Sequence, residues 1–234
     1  NIISGEDVQL PEHSYIKIFE FLNLNEKDVF YHLGCGSGEG IAIALEKFNV
    51  KKAVGVDNNK ENIRCAKKLV KEKKIKNAEF LCKNVLDAKI DDATAILFWF
   101  TDEEIIEGMK KRFKNLRDGS SIATIWGPLP GCLPDKVDFP YIISKVPFKS
   151  AELKEQLLAI FGIKCIDFVS AWEYAERYTK AIASQNLQND RFLTILQSLI
   201  IWINAKKLGV ACGEEIPESI QTYINIMKMH FDID

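Results

Sequence analysis

The chain has 234 residues, 47% of them hydrophobic and 27% charged, with a formal net charge of -2. That length and apolar content suffice for a large core and exclude a disordered chain. The near-neutral charge supplies no general attraction to nucleic acid or to an anionic membrane.

The first half alternates between short apolar runs and helical stretches. "LPEHSYIKIFEFL" predicts a helix with Pro11 at its first position and Tyr15, Ile18, Phe19 and Leu22 on one face. "DVFYHLG" then predicts a strand, "EGIAIALEKF" a helix, "KAVGVD" a second strand and "NKENIRCAKKLVKEKK" a second such helix. "AEFLCKN" and "ATAILFWF" are the third and fourth strands, "DEEIIEGMKKRFKNL" a helix stopped by Asp118-Gly119, and "SSIATIWG" the fifth strand. Continuous apolar strands separated by helices call for a parallel sheet covered on both faces, the doubly wound α/β class. The Pro- and Gly-rich "GPLPGCLPDKVDFP" is expected to be a loop, and "YIISKVPF" one more strand.

From Ser150 onward the apolar periodicity is helical. Ile166, Val169, Trp172 and Ala175 make one stripe. Phe192, Ile195, Leu199 and Ile203 make a second, widened by Leu193, Leu196 and Ile200. Ile216, Ile220, Tyr223, Ile224, Met227 and Phe231 make a third. These predict a C-terminal helical bundle, with domains at residues 1–149 and 150–234 and a boundary near Lys149. The wide apolar faces also offer a route to oligomers. "FLTILQSLIIWINA" is shorter than the roughly 20 residues of a membrane span and is interrupted by Gln197, Ser198 and Asn204, so it is expected to be a buried helix. The six cysteines include no C-x-x-C pair and are read as buried thiols of a reducing compartment. With no basic, apolar leader at Asn1, the expected location is the cytoplasm, and no metal site is expected. The seven basic residues of "RCAKKLVKEKKIK" are expected to be a solvated helix face.

The chemistry lies in "YHLGCGSGEG", residues 31–40, a glycine-rich turn between the first strand and the helix after it. Such a turn lets a ligand reach bare backbone at a helix N-terminus. No Lys follows the glycines, which excludes a P-loop. The dinucleotide spacing fails, since its third glycine position holds Glu39 or Ile41. The spacing present is G-x-G-x-G at Gly34, Gly36 and Gly38. It resembles motif I of the class I S-adenosylmethionine-dependent methyltransferases, commonly "DLGCGSG". Two further features fit that resemblance. Asp57 ends the second strand about 20 residues on, where an acid holds the ribose hydroxyls. "AEFLCKNVLDA" resembles the third-strand motif "F-x-x-G-D-A-x-D", with Asn84 at the adenine-contacting position, Val85 after it and Asp87 on the second acid.

The resemblance covers about the first 150 residues and implies S-adenosylmethionine as cofactor, with S-adenosylhomocysteine as product. The implied cofactor-binding residues are His32, Gly34, Cys35, Gly36, Gly38, Asp57, Asn58, Asn84 and Val85. His32 stands where the family pattern has an acid that holds the methionine end. It either packs inside the strand or accepts a hydrogen bond as neutral imidazole. In the second case affinity falls as pH drops through about 6.5.

The fourth strand lacks the N-P-P-Y motif of nucleobase amino-group methyltransferases. "ILFWFT", "DGSSIATIW" and "LPGCLPDKV" resemble the corresponding stretches of the non-SET protein lysine methyltransferases, particularly archaeal ones, with Cys132 in place of the loop tryptophan. The resemblance points to a protein lysine acceptor. A small-molecule acceptor held by the helical tail, and a catalytically degenerate interaction module, are the competing readings. Trp99 and Phe100 are the candidate acceptor-site residues, with Phe98 and Trp126 as further aromatics. Asp102 is expected to cap the next helix and is a second candidate for orienting an amine.

Overall fold

The computed structural model describes residues 10–182 and 191–213, apart from the side chain of residue 192, together with isolated positions 218, 221, 222, 225 and 229. The chain divides into two compact units between Ile160 and Phe161.

The first unit opens with α1 (Glu12–Leu22), β1 (Val29–Leu33), α2 (Glu39–Phe48), β2 (Lys52–Asp57), α3 (Lys60–Glu72) and β3 (Ala78–Cys82). A single 3₁₀ turn (Val85–Asp87), β4 (Ala95–Phe98), α4 (Glu103–Phe113) and β5 (Ser121–Ile125) follow. Short strands β6 (Cys132–Leu133) and β7 (Lys136–Asp138), then β8 (Tyr141–Lys145), β9 (Lys149–Ser150) and α5 (Leu153–Phe161) complete the series. The main sheet has seven strands in the order β3-β2-β1-β4-β5-β8-β7. β3, β2, β1, β4 and β5 pair in parallel, whereas β8 runs antiparallel to both β5 and β7. This is the expected doubly wound, mostly parallel architecture.

The strand order reverses at β1, between β2 and β4, the place where such sheets open a crevice beyond their carboxyl ends. The register makes that edge level. Leu33 pairs with Val56 on one side and with Phe98 on the other, so Gly34, Asp57 and Trp99 stand level at that edge. Tyr31, Leu33, Val54, Val56, Ile96, Phe98 and Ile122 form one face of the core with Met109 and Phe113 of α4. Phe30 and His32 point to the other face, where Phe30 meets Phe19 of α1 at 4.9 Å and His32 meets Tyr15 at 5.7 Å between ring centroids.

The segment expected to be a loop contains β6 and β7. β6 pairs with β9, and β7 forms a hairpin with β8. Strands of two and three residues are too short to show a period-two pattern, and flanking prolines and glycines mask them. Pro11 is the N-cap of α1 and precedes its first helical residue.

In the second unit, α6 (Phe168–Ile182) and α7 (Arg191–Lys207) are joined at their far ends. Ile166 bridges Ala211 in parallel, and Cys165 is disulfide-bonded to Cys212. The expectation of six buried thiols is therefore corrected: Cys35 and Cys132 are free and buried, Cys65 is free and half-buried, Cys82 is free and exposed, and the other two are paired. The buried face of α6 carries Phe168, Ala171, Ala175 and Thr179, while Val169 is 70% exposed. The expected stripe was phased from Ile166, which lies before the helix. In α7, Ile195, Leu199, Trp202 and Ala205 are buried, and Ile203 is 56% exposed. The expected third stripe, residues 216–231, lies outside the described residues, as does the Phe192 side chain. Among the described residues no helix is long and apolar enough to cross a membrane.

Candidate functional site

The turn after β1 is built from left-handed backbone, which favours glycine. Gly34, Gly36 and Gly38 have φ of +78°, +52° and +86°. Space is equally restrictive at two of them. A Cβ on Gly38 would lie 2.7 Å from the Ala66 Cβ of α3, and one on Gly34 would lie 3.1 Å from the Phe100 ring. The turn is tied to β2, because the N–H groups of Gly34 and Cys35 both donate to the Val56 carbonyl, at 2.8 and 3.0 Å. Gly38 is the N-cap of α2 and offers no side-chain acceptor, so the first-turn amides of that helix face the crevice edge with their partial positive charge.

Asp57, 8% exposed, fastens this turn to the next one. Its Oδ2 accepts from the Gly36 N–H at 2.9 Å. Its Oδ1 accepts from the Asn59 N–H at 2.8 Å and from Asn62 Nδ2 at 3.4 Å. A carboxylate has about four acceptor positions, two on each oxygen, so Oδ2 retains one for a ribose hydroxyl. Asn59 caps α3 by accepting from the N–H groups of Glu61 and Asn62. Asn58 is exposed beside it. Cys35 is buried below, where desolvation, reinforced by the Asp57 charge, pushes its thiol up; it is a packing residue and no nucleophile.

His32 lies within the sheet layer, 6% exposed, with its ring near Tyr15 and Phe30. Its Nδ1 is buried without a hydrogen-bond partner. A Cβ on Gly40 would lie 2.9 Å from that nitrogen and 2.8 Å from the Tyr15 ring, so α2 approaches this closely only because Gly40 is bare. Burial lowers the His32 pKa to about 4. The expected titration near 6.5 is thus corrected: the imidazole is neutral throughout the physiological range. Tyr15, read from the sequence only as core, belongs to this corner of the site.

Beyond β3, the Lys83 N–H donates to the Asp57 carbonyl at 3.0 Å, which sets Asn84 beside the Asp57 turn. Asn84 is exposed and caps the 3₁₀ turn, its Oδ1 accepting from the Leu86 N–H at 2.9 Å, while Val85 is buried. At the end of β4, Phe98 is core and stacks on Phe100 with 5.0 Å between centroids. Phe100 continues to the edge of Gly34, joining the aromatic wall to the glycine turn. Trp99 is half-buried and outside that core cluster. Asp102 caps α4, its Oδ1 accepting from the Ile105 N–H at 3.0 Å. Trp126, just beyond β5, has φ of +77°, an outlier for a bulky residue. Its N–H donates to the Pro140 carbonyl at 2.7 Å, and its ring lies 5.6 Å from Phe139. No sequence signal marks that backbone.

The run of basic residues on α3 is a solvated face in which Arg64 pairs with Glu61, Lys68 with Glu72 and Lys73 with Glu46.

A methyltransferase domain family matches residues 24–113. The chain is similar to a protein-lysine N-methyltransferase of Saccharolobus islandicus (strain REY15A), with 32% identity over 133 residues, covering 56% of this chain and 81% of that protein. Its fold is similar to that of an RNA methyltransferase from Salinibacter ruber solved in complex with S-adenosyl-L-homocysteine, with a TM-score of 0.57 and 22% identity. That match covers 62% of this chain and 97% of the other. With the level sheet edge, the glycine turn and these relationships together, the chain belongs to the class I S-adenosylmethionine-dependent methyltransferases.

Proposed function

We propose that the protein transfers methyl groups to lysine side chains of other proteins. The observation that carries this reading is the aromatic wall at the end of β4. Phe100 packs against Gly34 of the glycine turn, and half-buried Trp99 lies next to it in the chain. The lysine acceptor of the Saccharolobus islandicus relative's name agrees with it.

Three features fit S-adenosylmethionine: the bare glycine turn, the spare acceptor capacity of Asp57, and the orphaned Nδ1 of neutral His32. When bound, the cofactor supplies an electrophilic methyl carbon on its sulfonium. Gly34, Cys35, Gly36 and Gly38 would hold its methionine end through backbone groups, with His32 Nδ1 accepting from the amine. Asp57 and Asn58 would hold the ribose, and Asn84 and Val85 the adenine. Trp99 and Phe100 exclude water and disfavour an ammonium, so a lysine that enters loses its proton before attack. Oδ1 of Asp102 serves the helix cap, which makes its second oxygen the more available one to orient that amine.

The test is transfer of a deuterated methyl group from S-adenosylmethionine to proteins of a cell extract, before and after chemical blocking of lysines. Label on lysine Nζ, abolished by blocking, is expected. Transfer that survives blocking, into RNA or small molecules, would overturn the reading.

A further inference from the structure

Arg112 of α4 reaches the back of the 3₁₀ turn that carries Asn84 and Val85. Its Nη1 donates to the carbonyls of Val85 at 3.1 Å and Leu86 at 2.6 Å, and its Nη2 donates to the Ala88 carbonyl. Of these carbonyls, that of Val85 also closes the turn by accepting from the Ala88 N–H at 3.3 Å. One planar guanidinium, with donors in a fixed fork, takes three of them together. Asn84 fixes the same turn at its other end through the Leu86 N–H. One helical turn before Arg112 stands Gly108, where a Cβ would lie 2.6 Å from Leu86 Cδ2. The face of α4 at residues 108 and 112 is therefore shaped to this turn. Between them Met109, and just beyond Phe113, are fully buried and anchor the helix in the core. The N-cap of the same helix, Asp102, lies two residues after Phe100 of the aromatic wall.

We propose that Arg112 is a positioning residue for the cofactor: it holds the Val85–Asp87 turn in the place from which Asn84 and Val85 meet the adenine. This rests on the assignment of those two residues to the adenine given above. Arg112 touches neither the cofactor nor the reacting atoms, and acts through the backbone it fixes. Lysine cannot replace it, because one ammonium on a flexible stem does not span three carbonyls.

The test is calorimetric titration of wild type, Arg112→Lys and Arg112→Met with S-adenosylhomocysteine and with its hypoxanthine counterpart, S-inosylhomocysteine, below the melting temperature of each protein. Wild type is expected to prefer the adenine compound about tenfold, the worth of one hydrogen bond. Arg112→Met should bind S-adenosylhomocysteine about tenfold more weakly and bring that preference close to one, with Arg112→Lys between. A loss of folding stability alone leaves the preference of the remaining folded protein unchanged, so the ratio separates positioning from support. Should Arg112→Met fail to fold, Arg112→Lys decides on the same ratio. A wild-type preference retained in the variants would overturn the role of Arg112 and leave the adenine assignment standing. No preference in wild type would remove the adenine assignment and this role with it.

Discussion

Asp57 unites two tasks in one carboxylate. Read from the sequence, it is a ligand contact at the end of β2. In the structure it also accepts from Gly36 and Asn59, so it joins the glycine turn to the start of α3. Asp57→Ala leaves both N–H groups without that acceptor and is expected to cost about 1–3 kcal/mol of folding stability, measurable by urea denaturation; an unchanged midpoint would show that water replaces the carboxylate freely. His32 supplies a pH signature. Its folded pKa of about 4 lies below its ordinary 6.5, so the unfolded chain takes up the proton first as pH falls. The associated stability is full above the ordinary value and is lost on descent through the folded one, roughly 3 kcal/mol in all. Unfolding at about pH 7.5 and 4.5 should show this loss in wild type and a smaller one in His32→Phe, whereas cofactor affinity should stay flat between about pH 5.5 and 8. At this scale the glycines were legible, since left-handed backbone favours that residue type. The surroundings of His32 were not, because they depend on α1 and on Gly40 packing across the strand.

The elements separate the two central aromatics. Phe100 stacks on Phe98 and meets Gly34, so Phe100→Ala should lower both the melting temperature and S-adenosylmethionine affinity. Trp99 stands outside the core cluster, and Trp99→Ala should cut methyl transfer at least tenfold with cofactor affinity within about twofold, as expected for a contact made with the acceptor alone. Equal loss of melting temperature in both, with transfer per folded molecule unchanged, would make both packing residues. In the second unit, the Cys165–Cys212 bond closes a span of 47 residues, and loop-closure entropy puts its contribution at about 4 kcal/mol. Reduction should lower the melting temperature of the α6–α7 pair, followed by circular dichroism with and without reductant. α2 and β2 have the bounds read from the sequence, because each is a clean apolar period between turn residues. β6 and the phase of α6 escaped that reading, since they depend on partners further along the chain, β9 and the bridge of Ile166 to Ala211, and β7, although its partner β8 is next in the chain, is too short at three residues to show a period.

Across the whole molecule, α5 belongs with the sheet unit up to Ile160. Gln156 donates through Nε2 to the carbonyls of Leu129 and Cys132, and Leu157 and Ile160 are buried. A chain ended at Lys149 loses all three. Burial of the two apolar side chains alone is worth about 3–6 kcal/mol, a large part of the usual 5–15 kcal/mol of domain stability. Such a chain should melt without cooperativity, and a sharp transition would show that α5 is dispensable. The sheet class was legible because alternating apolar strands and helices admit few arrangements; the place where the two units divide was not, since α5 looks like the helices that follow it. The central claim is that the carboxyl edge of β1, β2 and β3 holds S-adenosylmethionine. Its most direct test is calorimetric titration of that cofactor into wild type and Asp57→Ala at a temperature where both are folded. The account predicts saturable binding of one cofactor per chain and at least a tenfold loss in the variant, the worth of a hydrogen bond to a charged group. Equal affinities, or no binding by wild type, would contradict it.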